Sequence, residues 1–83
     1  LWLDVNGHRY QKSNTRQMAF NIKHLVSYIS QFMSLHPGDI ISTGTPGGVG
    51  VFLPTPTYLK PGDVVELGID GLGRQKQNVA QRP

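Results

Sequence analysis

The residues best suited to touch a ligand lie in one run, Ile40-Ile41-Ser42-Thr43-Gly44-Thr45-Pro46-Gly47-Gly48-Val49-Gly50. The threonine hydroxyls can donate and accept hydrogen bonds, and the glycines after them let backbone approach a bound molecule where a Cβ would collide. On residue types alone, the run reads first as a strand followed by a loose turn, with glycine present only for positive φ. It is not a Walker loop, because no Lys-Ser/Thr pair follows the glycines. The spacing of Gly44, Gly47, Gly48 and Gly50 does not give the dinucleotide fingerprint before a helix, and no serine sits between glycines as in a nucleophile elbow.

Acid–base and metal chemistry need convergent carboxylates or imidazoles, and the chain offers few. Its acidic residues are Asp4, Asp39, Asp63, Glu66 and Asp70. Asp39 and Asp63 each follow Pro-Gly and read as turn residues that bind local amides, and Asp70 precedes a glycine in another turn. Asp4 and Glu66 are isolated on strands. Hard cations want clustered oxygen ligands, so these residues predict no metal site. His24 and Tyr28 share a helical face at i, i+4, but no second histidine or carboxylate joins them at ligand spacing. The residues alone predict a ligand-contact loop and no catalyst.

The elements that would position the loop are legible in order. Leu1, Leu3 and Val5 alternate with Trp2 and Asp4, the period of a half-buried strand. Asn6-Gly7 then signals a type I′ hairpin, with His8-Arg9-Tyr10-Gln11 returning. Lys12 to Arg16 reads as a loop. Ile22, Leu25, Val26, Ile29, Phe32 and Met33 form one apolar stripe at the helical period, with Asn21 as N-cap and an end near Leu35, before Pro37-Gly38. Pro-Gly-Asp occurs twice, delivering the chain into Ile40-Ile41 and into Val64-Val65-Glu66-Leu67, and both sequels are expected as strands. Between them, residues 51–60 carry Pro54 and Pro56, which keep them extended; they are either a rim over the glycine loop or a surface crossing. A tight turn at Asp70-Gly71-Leu72-Gly73 leads to a polar last strand, Arg74 to Val79, placed at a sheet edge. The whole reads as α+β, mainly antiparallel, with a hairpin, one amphipathic helix and at least three more strands.

Composition narrows the function classes. A chain of 83 residues is one small domain or a piece of one, and at that size only roughly 60% of the unfolded surface is buried. With no cysteine, neither disulfides nor cysteine-ligated zinc add stability. The net charge of +3 is spread along the chain, which argues against a nucleic-acid patch. No apolar run approaches the ~18 residues of a membrane span. The opening Leu1-Trp2-Leu3-Asp4-Val5 reads as the interior of a longer protein.

The run from Gly38 to Gly50 closely resembles the C-terminal signature of the fumarylacetoacetate hydrolase family, Gly-Asp-(apolar)-(apolar)-x-Thr-Gly-Thr-Pro-x-Gly-Val-Gly. Val5-Asn6-Gly7 with Gln11 and Thr15, the helix from His24 to Ser30, Leu59 to Val65, and Ile69 to Gly73 resemble the flanking parts, so the likeness covers nearly the whole chain. The closing run from Tyr58 to Gln75 is most similar to ureidoglycolate lyase-like members associated with 2,4-dioxo-3-deoxy sugar acids. Gly47, Ala19 and Val51-Phe52-Leu53 depart from those members and leave the substrate open. The resemblance implies a mixed β-roll fold, with residues 1–83 as the C-terminal segment of a single catalytic domain and the upstream part elsewhere. It implies a cytoplasmic homodimer that cleaves 2-oxo or 2,4-dioxo acids of the acylpyruvate type with Mg²⁺ or Mn²⁺. The metal carboxylates, the catalytic His-Glu pair and the lysine of such enzymes match no position in this sequence. What the resemblance does assign is Thr45, as a donor to the substrate's carboxylate or oxo end, with Gly44 leaving room. The other class left open is a non-catalytic paralogue that keeps the fold as a binding module.

Overall fold

The computed structural model describes residues 1–82 and divides into two units. The first comprises Leu1–Ser13 and the described residues from Thr45 onward; the second is Asn14–Gly44. The fold class is α+β, with one four-stranded antiparallel sheet and one α-helix among the described residues. Among the described residues no helix is long and apolar enough to cross a membrane.

In the first unit, β1 (Trp2–Val5) and β2 (His8–Lys12) form the expected hairpin. Asn6 and Gly7 both take positive φ, +51° and +79°, as a type I′ turn demands. β3 (Val64–Ile69) pairs with β1, and β4 (Gly73–Asn78) pairs with β3, giving the order β2-β1-β3-β4. The polar last strand does lie at an edge, and every residue of it is exposed. Register puts Leu3 opposite Leu67 and Val5 opposite Val65, so these four share one apolar face. The other face carries Trp2 and Asp4 opposite Gly68 and Glu66. Trp2 lies over Gly68, where an added Cβ would come within 2.8 Å of its ring nitrogen. The guanidinium groups of Arg9 and Arg74 flank that ring at 5.0 and 5.4 Å from its centroid.

The two Pro-Gly-Asp turns close in the same way. The Asp39 amide donates to the His36 carbonyl at 3.0 Å and the Asp63 amide to the Lys60 carbonyl at 3.1 Å. Each carboxylate then accepts the amide three residues back, His36 N–H at 2.8 Å and Lys60 N–H at 2.9 Å. Gly38 and Gly62 both sit at φ +94°, the third position of a type II turn, which a residue with a Cβ avoids. These aspartates are turn residues, as their sequence context predicts.

Asp63 has a second task. Its other carboxylate oxygen accepts from the Asn6 side chain at 2.9 Å, while Asn6 Oδ1 accepts the Val64 amide at 2.9 Å. The β1–β2 turn is thereby tied to the turn before β3. Asn6 and, next, the Lys60 amide hold the Asp63 carboxyl below its ordinary value of 3.8. A carboxylate with a lowered folded pKa contributes stability above its unfolded pKa, and that contribution disappears as pH falls through the lower folded pKa. Asp63→Asn is therefore expected to melt below wild type at pH 7, with the gap closing as pH drops under about 4. Thermal melts from pH 7 to 2 check this; a gap independent of pH would contradict it.

In the second unit, Asn14 caps a 3₁₀ turn over Thr15–Gln17, and α1 spans Ile22–Ile29. Asn21 is the N-cap as expected, its Oδ1 accepting the His24 amide at 2.8 Å. The helix ends six residues before Leu35, and the cause is local. The Ser30 hydroxyl donates to the Ser27 carbonyl at 3.0 Å, the group the Gln31 amide would use in a further helical turn. Gln31 and Phe32 instead bond three residues back, to Tyr28 and Ile29, at 3.2 and 3.0 Å. Phe20, His24, Tyr28 and Phe32 form a ring ladder with centroids 4.9, 6.4 and 5.2 Å apart. His24 is thus stacked between aromatic neighbours.

The expected strand at Ile40-Ile41 does not form, and among the described residues only two strands follow the hairpin instead of three or more. Residues 39–46 carry no regular structure and Ile40 is 94% exposed. β-Branched residues favour extended backbone, but a strand exists only when an edge pairs with it. No hydrophobic side chain among the described residues is fully buried. The apolar faces of the sheet and the helix are only part-covered.

Candidate functional site

A cavity of about 540 Å³ opens within the first unit. Its wall includes Leu3, Val5 and Val65 from the apolar face of the sheet, Tyr10 and Gln11 from β2, and Thr45, Gly48, Val49 and Gly50 from the glycine loop. Leu53, Thr57, Tyr58 and Leu59 also line it, so residues 51–60 form a rim in part and are not merely a surface crossing. They are less extended than two prolines suggest. Gly50–Phe52 makes a 3₁₀ turn, and the Thr57 amide returns to the Gly50 carbonyl at 3.0 Å.

Thr45, the residue singled out from sequence, lies on the cavity wall. Its hydroxyl oxygen accepts a hydrogen bond from Gln11 Nε2 at 2.8 Å. The same nitrogen donates to the Pro46 carbonyl at 3.0 Å. No described group takes the proton of the Thr45 hydroxyl. Gly44 takes φ +91° and does not line the cavity, and a Cβ added there meets nothing within 4 Å. Its requirement is visible in backbone conformation.

The close approach falls instead at Gly48. An added Cβ would run into the backbone carbonyl of Tyr10 and reach 3.0 Å from Gln11 Cγ, and φ there is +104°. The absence of a side chain lets the glycine loop lie directly on the outer edge of β2. That contact, with the two bonds from Gln11, fixes where Thr45 stands.

Lys60, Asp63 and Asn6 also line the cavity. Lys60 and Asp63 bring opposite formal charges to this lining. Sequence reasoning did not single out Gln11 or Lys60 as site residues. Gln11 carries no motif of its own, and its partner lies 34 positions away along the chain. No group of three or more His, Asp or Glu side chains lies together among the described residues. These residues do not fit a divalent-ion site.

The family model for the fumarylacetoacetate (FAA) hydrolase C-terminal region matches residues 1–80. A Burkholderia ambifaria protein provisionally named a hydrolase is 58% identical over 79 residues, 94% of this chain and 28% of that protein. The solved structure of a fumarylacetoacetate hydrolase from psychrophilic Exiguobacterium antarcticum superposes with a TM-score of 0.91 at 37% identity, covering 98% of this chain and 29% of that one. A structure described as a probable 2-hydroxyhepta-2,4-diene-1,7-dioate isomerase from Mycobacterium abscessus gives a TM-score of 0.88 at 38% identity, over 99% of this chain and 31% of that one. The chain spans less than a third of the length of these relatives.

Proposed function

The chain belongs to the fumarylacetoacetate hydrolase family, and from that premise we propose that it supplies the substrate-contacting loop of an enzyme that cleaves 2-oxo or 2,4-dioxo acids of the acylpyruvate type. The observation that carries the reading is the Thr45 hydroxyl, on the wall of a mostly apolar cavity, with no described group taking its proton. Such a proton binds a carboxylate or oxo oxygen well, because hydrogen bonds to charged acceptors are the strong ones. Lys60 adds charge of the right sign for an anionic acid. Leu3, Val5 and Val65 suit the carbon chain beyond it. Gly44 serves by letting the backbone turn into Thr45 at positive φ.

A divalent ion such as Mg²⁺ or Mn²⁺ would have to be held by residues outside those described, and there it would supply Lewis-acid polarisation of the substrate's oxygens. The chain's own residues bind and orient the acid. Two neighbours in structure are named as a hydrolase and an isomerase, which favours an enzyme over a non-catalytic paralogue. The active species is a cytoplasmic homodimer, for which sedimentation at the monomer mass would be contrary evidence.

The test is turnover of acetylpyruvate by the intact protein with Mg²⁺, before and after chelation. Cleavage to pyruvate and acetate that stops with chelator and returns with metal is expected. Failure to turn over or bind any 2-oxo acid in the presence of either metal would leave only the binding-module reading.

A further inference from the structure

Resting on the reading of Thr45 as the substrate donor, we propose that Gln11 is a positioning residue that sets the polarity of that hydroxyl. The direction of the Gln11 amide follows from Pro46. A carbonyl oxygen only accepts, so the amide group facing it at 3.0 Å must be the NH₂. That nitrogen has two protons. One goes to the Pro46 carbonyl, and the other goes to Thr45 Oγ1 at 2.8 Å. Thr45 is therefore held as an acceptor on its Gln11 side, and its single proton must point elsewhere. With no described group to receive it, the proton is presented to the ligand.

The clamp is well anchored. Gln11 sits on β2 opposite Leu3, and its Cγ packs beside Gly48, so side chain and loop meet at fixed separation. The consequence is selectivity for ligand atoms that accept. A carboxylate or oxo oxygen gains a bond at Thr45, whereas an ammonium or amide nitrogen placed there would meet a proton. The sequence places polar residues at 11 and 45; only the geometry shows that one orients the other.

Two substitutions of similar length separate positioning from support. Gln11→Met removes both bonds but leaves the Thr45 hydroxyl free to rotate and donate. Gln11→Glu keeps the shape, yet a carboxylate accepts the Thr45 proton and turns its lone pairs toward the ligand. Titrating the intact Mg²⁺-loaded protein with pyruvate should give affinities in the order wild type, then Gln11→Met within a few-fold, then Gln11→Glu weaker by roughly tenfold or more, the loss of a bond to a charged group. Binding by Gln11→Glu should recover as pH falls and the introduced carboxyl protonates, while pyruvate stays ionised.

Equal losses in the two variants, with no recovery on acidification, would overturn the positioning role; a Thr45→Ala protein that still loses affinity would then leave the substrate reading intact. Wild-type affinity in Thr45→Ala, or no pyruvate binding by wild type, would overturn both.

Discussion

Gly48→Ala is expected to destabilise the fold by about 2 kcal/mol or more, and to lose ligand binding along with it. Two costs combine. A non-glycine residue held at a positive φ such as +104° costs about 1–3 kcal/mol. The new methyl group also meets the Tyr10 carbonyl, which is backbone of β2 and cannot swing aside as a side-chain tip would. Relief requires the glycine loop to lift from the strand edge, which pulls Thr45 away from Gln11. Neighbouring glycines supply the controls. Gly47 has an unexceptional φ and open space, so Gly47→Ala should be close to neutral. Gly44 is at φ +91° but has open space, so Gly44→Ala should fall between the two. Urea midpoints of the three variants give the order, provided the slope is unchanged. A Gly48→Ala protein as stable as Gly47→Ala would refute the contact of loop and strand.

Thr45→Ala carries the largest expected effect on binding with little effect on stability, because the residue is exposed. Losing a hydrogen bond to a carboxylate costs about 1.5–3 kcal/mol, roughly 10–150-fold in affinity. Thr45→Ser, which keeps the hydroxyl, should stay near wild type. Thr45→Val, which keeps the shape, should behave like alanine. If the bond is equally strong in bound substrate and transition state, KM rises and kcat does not change. Unchanged KM and kcat on acetylpyruvate in Thr45→Ala would remove this residue from the site.

Features that depend on neighbours in the chain were legible beforehand. Asn6-Gly7 predicts a turn that forms with both residues at positive φ, because backbone sterics alone select those residues. Asn21 caps α1 for the same reason, since its oxygen needs only the amide three positions on. The two Pro-Gly-Asp turns and the polar edge strand follow suit. Features that depend on remote partners were not. Ile40-Ile41 has strand chemistry, but no strand of the sheet pairs with it. The early end of α1 turns on one serine hydroxyl taking one carbonyl, a competition that apolar periodicity does not register. Asn6 looks like a turn residue and is also the donor to Asp63, 57 positions later. Thr45 itself was singled out through family likeness, since a threonine before glycines is too common to mark a site. Gln11 needed geometry.

The most direct test of the site is the structure of the intact, Mg²⁺-loaded protein with a bound 2-oxo acid such as pyruvate. The expected result is a carboxylate or oxo oxygen within hydrogen-bond reach of Thr45 Oγ1, about 2.6–3.2 Å, with Gln11 still bridging Thr45 and Pro46. An acid bound elsewhere, with the Thr45 hydroxyl turned from it, would contradict the assignment of this loop as the substrate contact.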